Sequence, residues 1–241
     1  VDIVILAGAK TPPELRELTG VEDRALLPVG GRTMLDIVTQ ALRPHGDLVV
    51  VGPHCDGAMR RVEAGGSYME SLRQGLGAVR TETFLLTMCD LPHLTSEGVG
   101  DFLSRCDPGA LLNYPVLDAQ ATARAYPGVR RTTLRLREGE FTGGNLGLLR
   151  ADLMREALPL LERAYALRKS PIGLGGLVGW GLVVRLVVGR FAPRTLSLPY
   201  LERRVGRFVG GPVRAIRTPY VEIGADVDDI AQYSAMIGMR N

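Results

Sequence analysis

Short apolar runs exchange with segments of helical period along much of this chain, and that leaves few folds open. Val1 to Leu6, Leu48 to Val51, Phe84 to Met88 and Ala110 to Tyr114 each read as one buried strand. Between them Thr33 to Arg43 and Ser67 to Val79 read as helices, the second with Met69, Leu72, Leu76 and Val79 on one face. A strand covered by helices on both faces is apolar throughout, and parallel neighbours need a long crossover. The expected class is therefore α/β, a three-layer αβα Rossmann-like arrangement around a mostly parallel mixed sheet.

Local signals sharpen the boundaries. Thr33 reads as an N-cap with Asp36 in the first turn and Pro44 as terminator. Ser67-Tyr68-Met69-Glu70 reads as a capping box. Pro12-Pro13 makes the polar stretch before Arg24 too irregular for a long helix. The second half is more elaborate. Thr133 to Arg137 alternates strictly and meets Glu138-Gly139, a hairpin signal, and Asn145 to Leu149 returns as a strand. Asp152 to Arg168 reads as a helix interrupted near Pro159, Val213 to Ile216 as a strand and Asp228 to Ile237 as a closing helix. With no repeat and no linker, 1–241 is expected to be a single domain, with 155–210 a helical insertion or a dimer or substrate face.

Charge and cysteine usage exclude several classes. The 241 residues carry 29 basic and 26 acidic side chains, too balanced to argue for nucleic acid as partner. Three cysteines without a CxxC support neither a zinc ribbon nor a disulfide framework. Ile172 to Val188 is about a membrane span long but carries Arg185 and repeated glycines, and the opening residues lack the pattern of a signal peptide. A soluble, cytoplasmic protein is expected. The stripe from Ile172 to Phe191 reads as core or dimer face. A surface for lipid or greasy substrate is the alternative, given Trp180 and the flanking Arg190, Arg194, Arg203 and Arg204.

Three distant segments carry candidate chemistry, and in a parallel sheet the loops after the strands converge on one edge. Leu6-Ala7-Gly8-Ala9 follows the first strand, and its small residues admit close approach of a phosphate or merely a tight turn. Thr87-Met88-Cys89-Asp90-Leu91-Pro92 places a carboxylate at a strand end, suited to Mg²⁺ or to capping the next turn. Gly224-Ala225-Asp226-Val227-Asp228-Asp229 crowds three carboxylates that need a cation, a basic side chain or a helix N-terminus. Two carboxylates from different strands can share one Mg²⁺ that also grips phosphates.

Taken in order, these segments resemble the MobA-like nucleotidyltransferase family, whose members have the GT-A nucleotide-diphosphosugar-transferase fold. The resemblance rests on Leu6-Ala7-Gly8-Ala9, on Arg24-Ala25-Leu26-Leu27-Pro28-Val29-Gly30-Gly31-Arg32-Thr33-Met34, on Thr87 to Pro92, on Thr142-Gly143-Gly144-Asn145 and on Asp226-Val227-Asp228. It covers most of the chain outside about 155–210. It implies transfer of a nucleotidyl group from an NTP to a small phosphorylated acceptor, with release of pyrophosphate. Gly8, Ala9 and Lys10 would then cradle the triphosphate, with Leu6 and Ala7 of the same loop also at the nucleotide, Gly65 and Gly66 lie in the base and ribose region, and Asn145 faces the acceptor. Asp90 and Asp228, with Asp226, would hold Mg²⁺, and Arg24, Lys10 and Asp90 would act in catalysis. The chain departs from the family at Lys10-Thr11-Pro12-Pro13 and at Arg24, where Lys is usual, which leaves the triphosphate grip to Lys10, Arg16 or Arg24. The alternatives are a GT-A glycosyltransferase using an NDP-sugar and a non-catalytic nucleotide-binding protein. A homodimer is compatible with all three.

Overall fold

A computed structural model describes residues 1–56, 58–129, 131–167, 170 and 196–238. The chain begins with β1 (Asp2–Leu6), a short helix α1 (Pro13–Thr19) and a 3-10 turn (Arg24–Leu26). A two-stranded ribbon, β2 (Pro28–Val29) and β3 (Arg32–Thr33), leads into α2 (Met34–Leu42). Then come β4 (Asp47–Val51), β5 (Arg60–Val62), α3 (Tyr68–Ala78), β6 (Thr83–Met88) and α4 (Ser96–Arg105). The second half carries β7 (Leu112–Asp118), α5 (Ala119–Ala125), β8 (Leu134–Leu136), β9 (Gly139–Gly143), β10 (Leu146–Arg150) and α6 (Ala151–Ala166). Beyond them lie α7 (Leu198–Val209), β11 (Val213–Arg217) and α8 (Ile230–Gly238).

The main sheet runs β5-β4-β1-β6-β10-β7-β9-β8, with β11 on the other edge of β7. β1 is central and parallel to both neighbours, so Leu6 lies level with Val51 and Met88. In this sheet β9 and β10 alone oppose the common direction, which bears out a mostly parallel mixed sheet. Alternate residues of β1 feed two cores. Ile3 and Ile5 pack with Leu35, Val38, Val99 and Phe102 of α2 and α4, and Val4 and Leu6 pack with Leu72 and Leu76 of α3 and Met154 of α6. That two-sided burial produces the continuous apolar runs of the sequence.

β9 and β10 lie along the same edge of β7, β9 against Val116 to Asp118 and β10 against Leu112 and Asn113. Gly144-Asn145 is the break between them. The expected strand Ala110 to Tyr114 in fact runs on through Pro115 to Asp118. Pro115 is tolerated because its carbonyl accepts from the Gly144 N–H at 2.9 Å, so its missing donor faces the edge where the partner strand is already broken. Pro159 does not interrupt α6 either. Both Pro159 and Arg155, whose carbonyl loses a donor, are exposed, so water can satisfy that group. Thr33 and Asp36 form the full capping box of α2. At α3 only half of the expected box is present: Ser67 accepts from the Glu70 N–H, while the Glu70 carboxylate turns back to the Gly66 N–H at 2.8 Å. β5 and α5 were not apparent in the sequence, being too short to display a period.

Of the 155–210 region, α6 packs on the sheet and Leu198 and Leu201 of α7 cover the β8–β9 hairpin. The stripe from Ile172 to Phe191, with Trp180, Arg190 and Arg194, lies outside the described residues. Among the described residues no helix is long and apolar enough to cross a membrane.

Asp2, the first residue of β1, is 2% exposed and joins the sheet to the turn before β6. Burial raises its pKa, but the Arg80 N–H at 2.5 Å, the Arg60 guanidinium and the Thr81 N–H outweigh that and leave it lowered. A carboxylate with a depressed folded-state pKa stabilises the fold above its unfolded value and ceases to as pH falls through the folded one. Asp2→Asn is therefore expected to cost about 2 kcal/mol at neutral pH, with the difference from wild type shrinking in acid, as read by urea unfolding at pH 7 and below pH ~4.

Candidate active site

Three loops meet where the parallel strands end. The loop after β1 returns so that the Arg24 N–H donates to the Ala9 carbonyl at 3.0 Å, which fixes where the Arg24 side chain starts. Asp90 follows β6 by two residues and is 4% exposed. Its carbonyl accepts from the Val227 N–H at 3.1 Å, which pins the segment after β11 onto it. Arg24 Nη1 then donates to Asp90 Oδ2 at 3.0 Å and to Asp228 Oδ1 at 3.3 Å. One guanidinium nitrogen thus brings a carboxylate from the loop after β6 and one from the segment after β11 to a single point.

Burial pushes the Asp90 carboxyl up to about 6, against the lowering effect of Arg24, and Asp226 and Asp228 raise it further. Asp90 Oδ1 is buried without a hydrogen-bond partner among the described residues. So are Asn145 Nδ2 and Arg24 Nε. Asn145 sits at the β9–β10 break, held by its N–H to the Ile223 carbonyl at 2.9 Å and by the Thr87 hydroxyl on its own carbonyl at 3.1 Å. Arg24, Asp90, Asn145, Asp226 and Asp228 all line one cleft of about 610 Å³.

The sequence offered no sign of Arg131, which organises the far side of this cluster. It donates to the Asp226 carboxylate, the Gly224 carbonyl, the Gly143 carbonyl at 2.8 Å and the Thr142 hydroxyl at 3.2 Å. One side chain thereby ties the break after β9 to the segment after β11. Its neighbours in sequence carry no motif, and only the packing brings those four acceptors together.

The remaining expected residues are placed more variously. Leu6 and Ala7 are buried, and the Ala7 N–H is already given to the Val51 carbonyl at 2.8 Å. Gly8 is required by packing, since a Cβ there would collide with that of Ala64. That contact brings the loop after β1 against the loop before α3. The N–H groups of Gly65 and Gly66 donate to Ser71 Oγ at 3.0 Å and to Glu70 Oε2 at 2.8 Å, so they serve the α3 N-terminus. Ala9 is exposed beside them. Lys10 is directed at Asp23, 2.7 Å away, on the outer surface of the loop rather than at the carboxylates. Asp229, not Asp228, caps the last helix by accepting from the Gln232 N–H at 2.8 Å.

Among the described residues no group of three or more His, Cys, Asp or Glu side chains is placed to hold a metal ion unaided. The donors nonetheless suit a hard divalent cation. Asp90 and Asp228 already converge on one cationic nitrogen, and Asp90 Oδ1 is a buried acceptor with nothing to accept from. Mg²⁺ is commonly held by one or two carboxylates, with phosphates and water completing its shell.

The sequence pattern of the MobA-like NTP transferase domain matches residues 3–168. A hypothetical transferase from Thermus thermophilus is 40% identical and superposes with a TM-score of 0.85, over 95% of this chain and 96% of that one. The 2-C-methyl-D-erythritol 4-phosphate cytidylyltransferase of the same organism is 18% identical over 99% and 98% of the two chains, with a TM-score of 0.56. A CMP:2-keto-3-deoxy-manno-octonic acid synthetase, 13% identical over 99% and 97%, gives 0.62. These last two show the shared fold alone. None of the curated proteins matches the sequence. A domain pattern that runs from β1 through α6, over more than half of the chain, makes this chain a member of the MobA-like NTP transferase family of nucleotidyltransferase enzymes.

Proposed function

We propose that the chain transfers a nucleotidyl group from an NTP to a small phosphorylated acceptor in a Mg²⁺-dependent reaction that releases pyrophosphate. The observation that carries this reading is the buried, unpartnered Oδ1 of Asp90 beside Asp228, both at Arg24 in the cleft. Asp90 and Asp228 would hold the metal, which when bound supplies Lewis-acid stabilisation of charge on the phosphate oxygens. Asp226, already tied to Arg131, shapes the far wall and adds negative charge.

A phosphate oxygen of the acceptor attacks the α-phosphorus, a new P–O bond forms, and the bond to the bridging oxygen breaks with its electron pair leaving on pyrophosphate. Little covalent help is needed, so positioning and electrostatics do most of the work. Arg24, holding two carboxylates with one nitrogen, has further N–H groups to turn toward the triphosphate, and its fork suits phosphate oxygens. Asn145 Nδ2 is a free donor on the acceptor side. The loop Leu6 to Ala9, packed on the loop bearing Gly65 and Gly66, would bound the nucleotide. Lys10 would reach phosphate only by leaving Asp23.

The test is pyrophosphate release from each of the four NTPs with a panel of phosphorylated acceptors, with and without Mg²⁺. A thermal-shift screen runs beside it, since a ligand at about a hundred times its Kd adds roughly 2.7 kcal/mol. Release that needs Mg²⁺ and favours one NTP is expected. Turnover retained in both Asp90→Ala and Asp228→Ala overturns the metal assignment.

A further inference from the structure

The cleft is charged at one end only. Beyond Arg24, Asp90, Asp226 and Asp228 no charged side chain lines it among the described residues. Its remainder is a trough in the face of the sheet, between α3 and α6. The opposite face of β6 is sealed, with Leu85 fully buried, whereas Leu86 and Met88 of this central strand and Leu112 of β7 are only partly covered. Gly147 stands opposite Leu86 in the register, and a Cβ there would meet the tips of Leu149 and Leu112 at 3.3 and 3.4 Å. The missing side chain deepens the floor. Leu72 of α3 and Leu161 of α6 form the sides, and Tyr68 and Tyr165 stack across from one helix to the other at 5.5 Å. The trough opens directly onto the acids, because Met88 is two residues before Asp90 and Gly147 two after Asn145.

An aliphatic floor of this kind is costly for a polyol. Hydroxyl groups seated over Leu86, Gly147 and Leu112 lose water and meet no polar side chain on that floor, a cost that repeats for each hydroxyl of a polyol. The uncharged polar side chains of the cleft are Thr87, Asn145, Tyr68, Tyr114 and Tyr165. A hydrocarbon body gains instead, in proportion to the apolar area it removes from water. We infer that the trough seats the body of the acceptor, and that the acceptor is a phosphate monoester of an aliphatic alcohol rather than a sugar phosphate. Its phosphate lies at the Arg24–Asn145 end and its carbon chain over Leu86, Gly147 and Leu112. This rests on nucleotidyl transfer as the activity of the cleft, and the product is then the nucleoside diphosphate ester of that alcohol, with pyrophosphate as the leaving group.

The experiment is calorimetric binding of methyl, butyl and hexyl phosphate and of glucose 1-phosphate to the full chain, without NTP and below any micelle concentration. Each added methylene is expected to tighten binding about three- to fourfold, the equivalent of burying a CH₂ group. Equal affinity for methyl and hexyl phosphate, or tighter binding of glucose 1-phosphate, overturns the inference. In Leu161→Asn, a change at a half-buried position on α6, the gain per methylene is expected to shrink, and an unaltered gain places the chain elsewhere. Hexyl phosphate must also bind with saturating NTP present, since exclusion by NTP assigns the trough to the nucleobase. A steep chain-length gradient without pyrophosphate release from any NTP leaves the trough standing and removes the transfer reaction, so the two readings fail separately.

Discussion

Asp90→Ala is expected to reduce pyrophosphate release at least about a thousandfold, the equivalent of several kcal/mol of lost charge stabilisation in the transition state. The same site makes a second, opposite demand on stability. Asp90 is 4% exposed, and its folded-state pKa of about 6 stands above the ordinary 3.8. An acid whose pKa is raised by folding favours the fold when protonated. That contribution is complete below the unfolded pKa and is lost as pH rises through the folded one. Between pH ~4 and ~6 the wild-type chain therefore loses stability at this residue, by about 3 kcal/mol for the two units concerned. Asp90→Asn, the same shape without the charge, is expected to escape that loss. Urea unfolding from pH 4 to 7 should show the variant drawing ahead of wild type as pH rises, while pyrophosphate release stays abolished. A variant that is less stable than wild type at pH 7 would mean that the Arg24 pairing outweighs the cost of burial.

Arg131→Ala carries the largest expected loss of stability. The side chain is 15% exposed and its partner Asp226 20%, so removing the guanidinium strands a carboxylate and two backbone carbonyls in a mostly dry site. Breaking a buried pair in this way costs about 3–5 kcal/mol, a fall in Tm of roughly 10 °C for a chain of this size. Arg131→Lys is not expected to rescue it, because one ammonium cannot span acceptors on Thr142, Gly143, Gly224 and Asp226 at once. Differential scanning calorimetry separates the two variants, and full rescue by lysine would reduce the role of Arg131 to its charge. Since Arg131 ties the break beside Asn145 to the segment bearing Asp226 and Asp228, both variants should also raise KM for the acceptor more than for the NTP.

Much of the frame was legible from local pattern. The strand ends that matter, Leu6 and Met88, were read to the residue, since an apolar run stops where the chain leaves the sheet. Asp90 was found for the same reason, because a carboxylate two residues past a buried strand is conspicuous in one dimension, whereas Asp226 and Asp228 were found because three acids crowd four residues. Backbone roles were harder. Gly8 read as a phosphate contact and Gly65 and Gly66 as base or ribose contacts, but in the fold a Cβ at Gly8 would meet Ala64, and the Gly65 and Gly66 N–H groups go to Ser71 and Glu70 at the α3 N-terminus. A glycine shows that a close approach occurs but not what approaches.

What the sequence determined by itself is most of the longer elements and the placing of Asp90, Asp226 and Asp228 at loop positions, because periodicity and capping act over a few residues of chain. What only the tertiary structure decided is who meets whom. Arg24 reaches Asp90 across 66 residues and Asp228 across 204, Arg131 closes on Asp226 across 95, and Lys10 turns away to Asp23. The apolar trough likewise exists only because strand register sets Gly147 against Leu86 and the packing of α3 and α6 leaves that floor partly uncovered. Such contacts are set by the order of strands in the sheet, and no local pattern in the chain encodes which distant side chains that order will bring together.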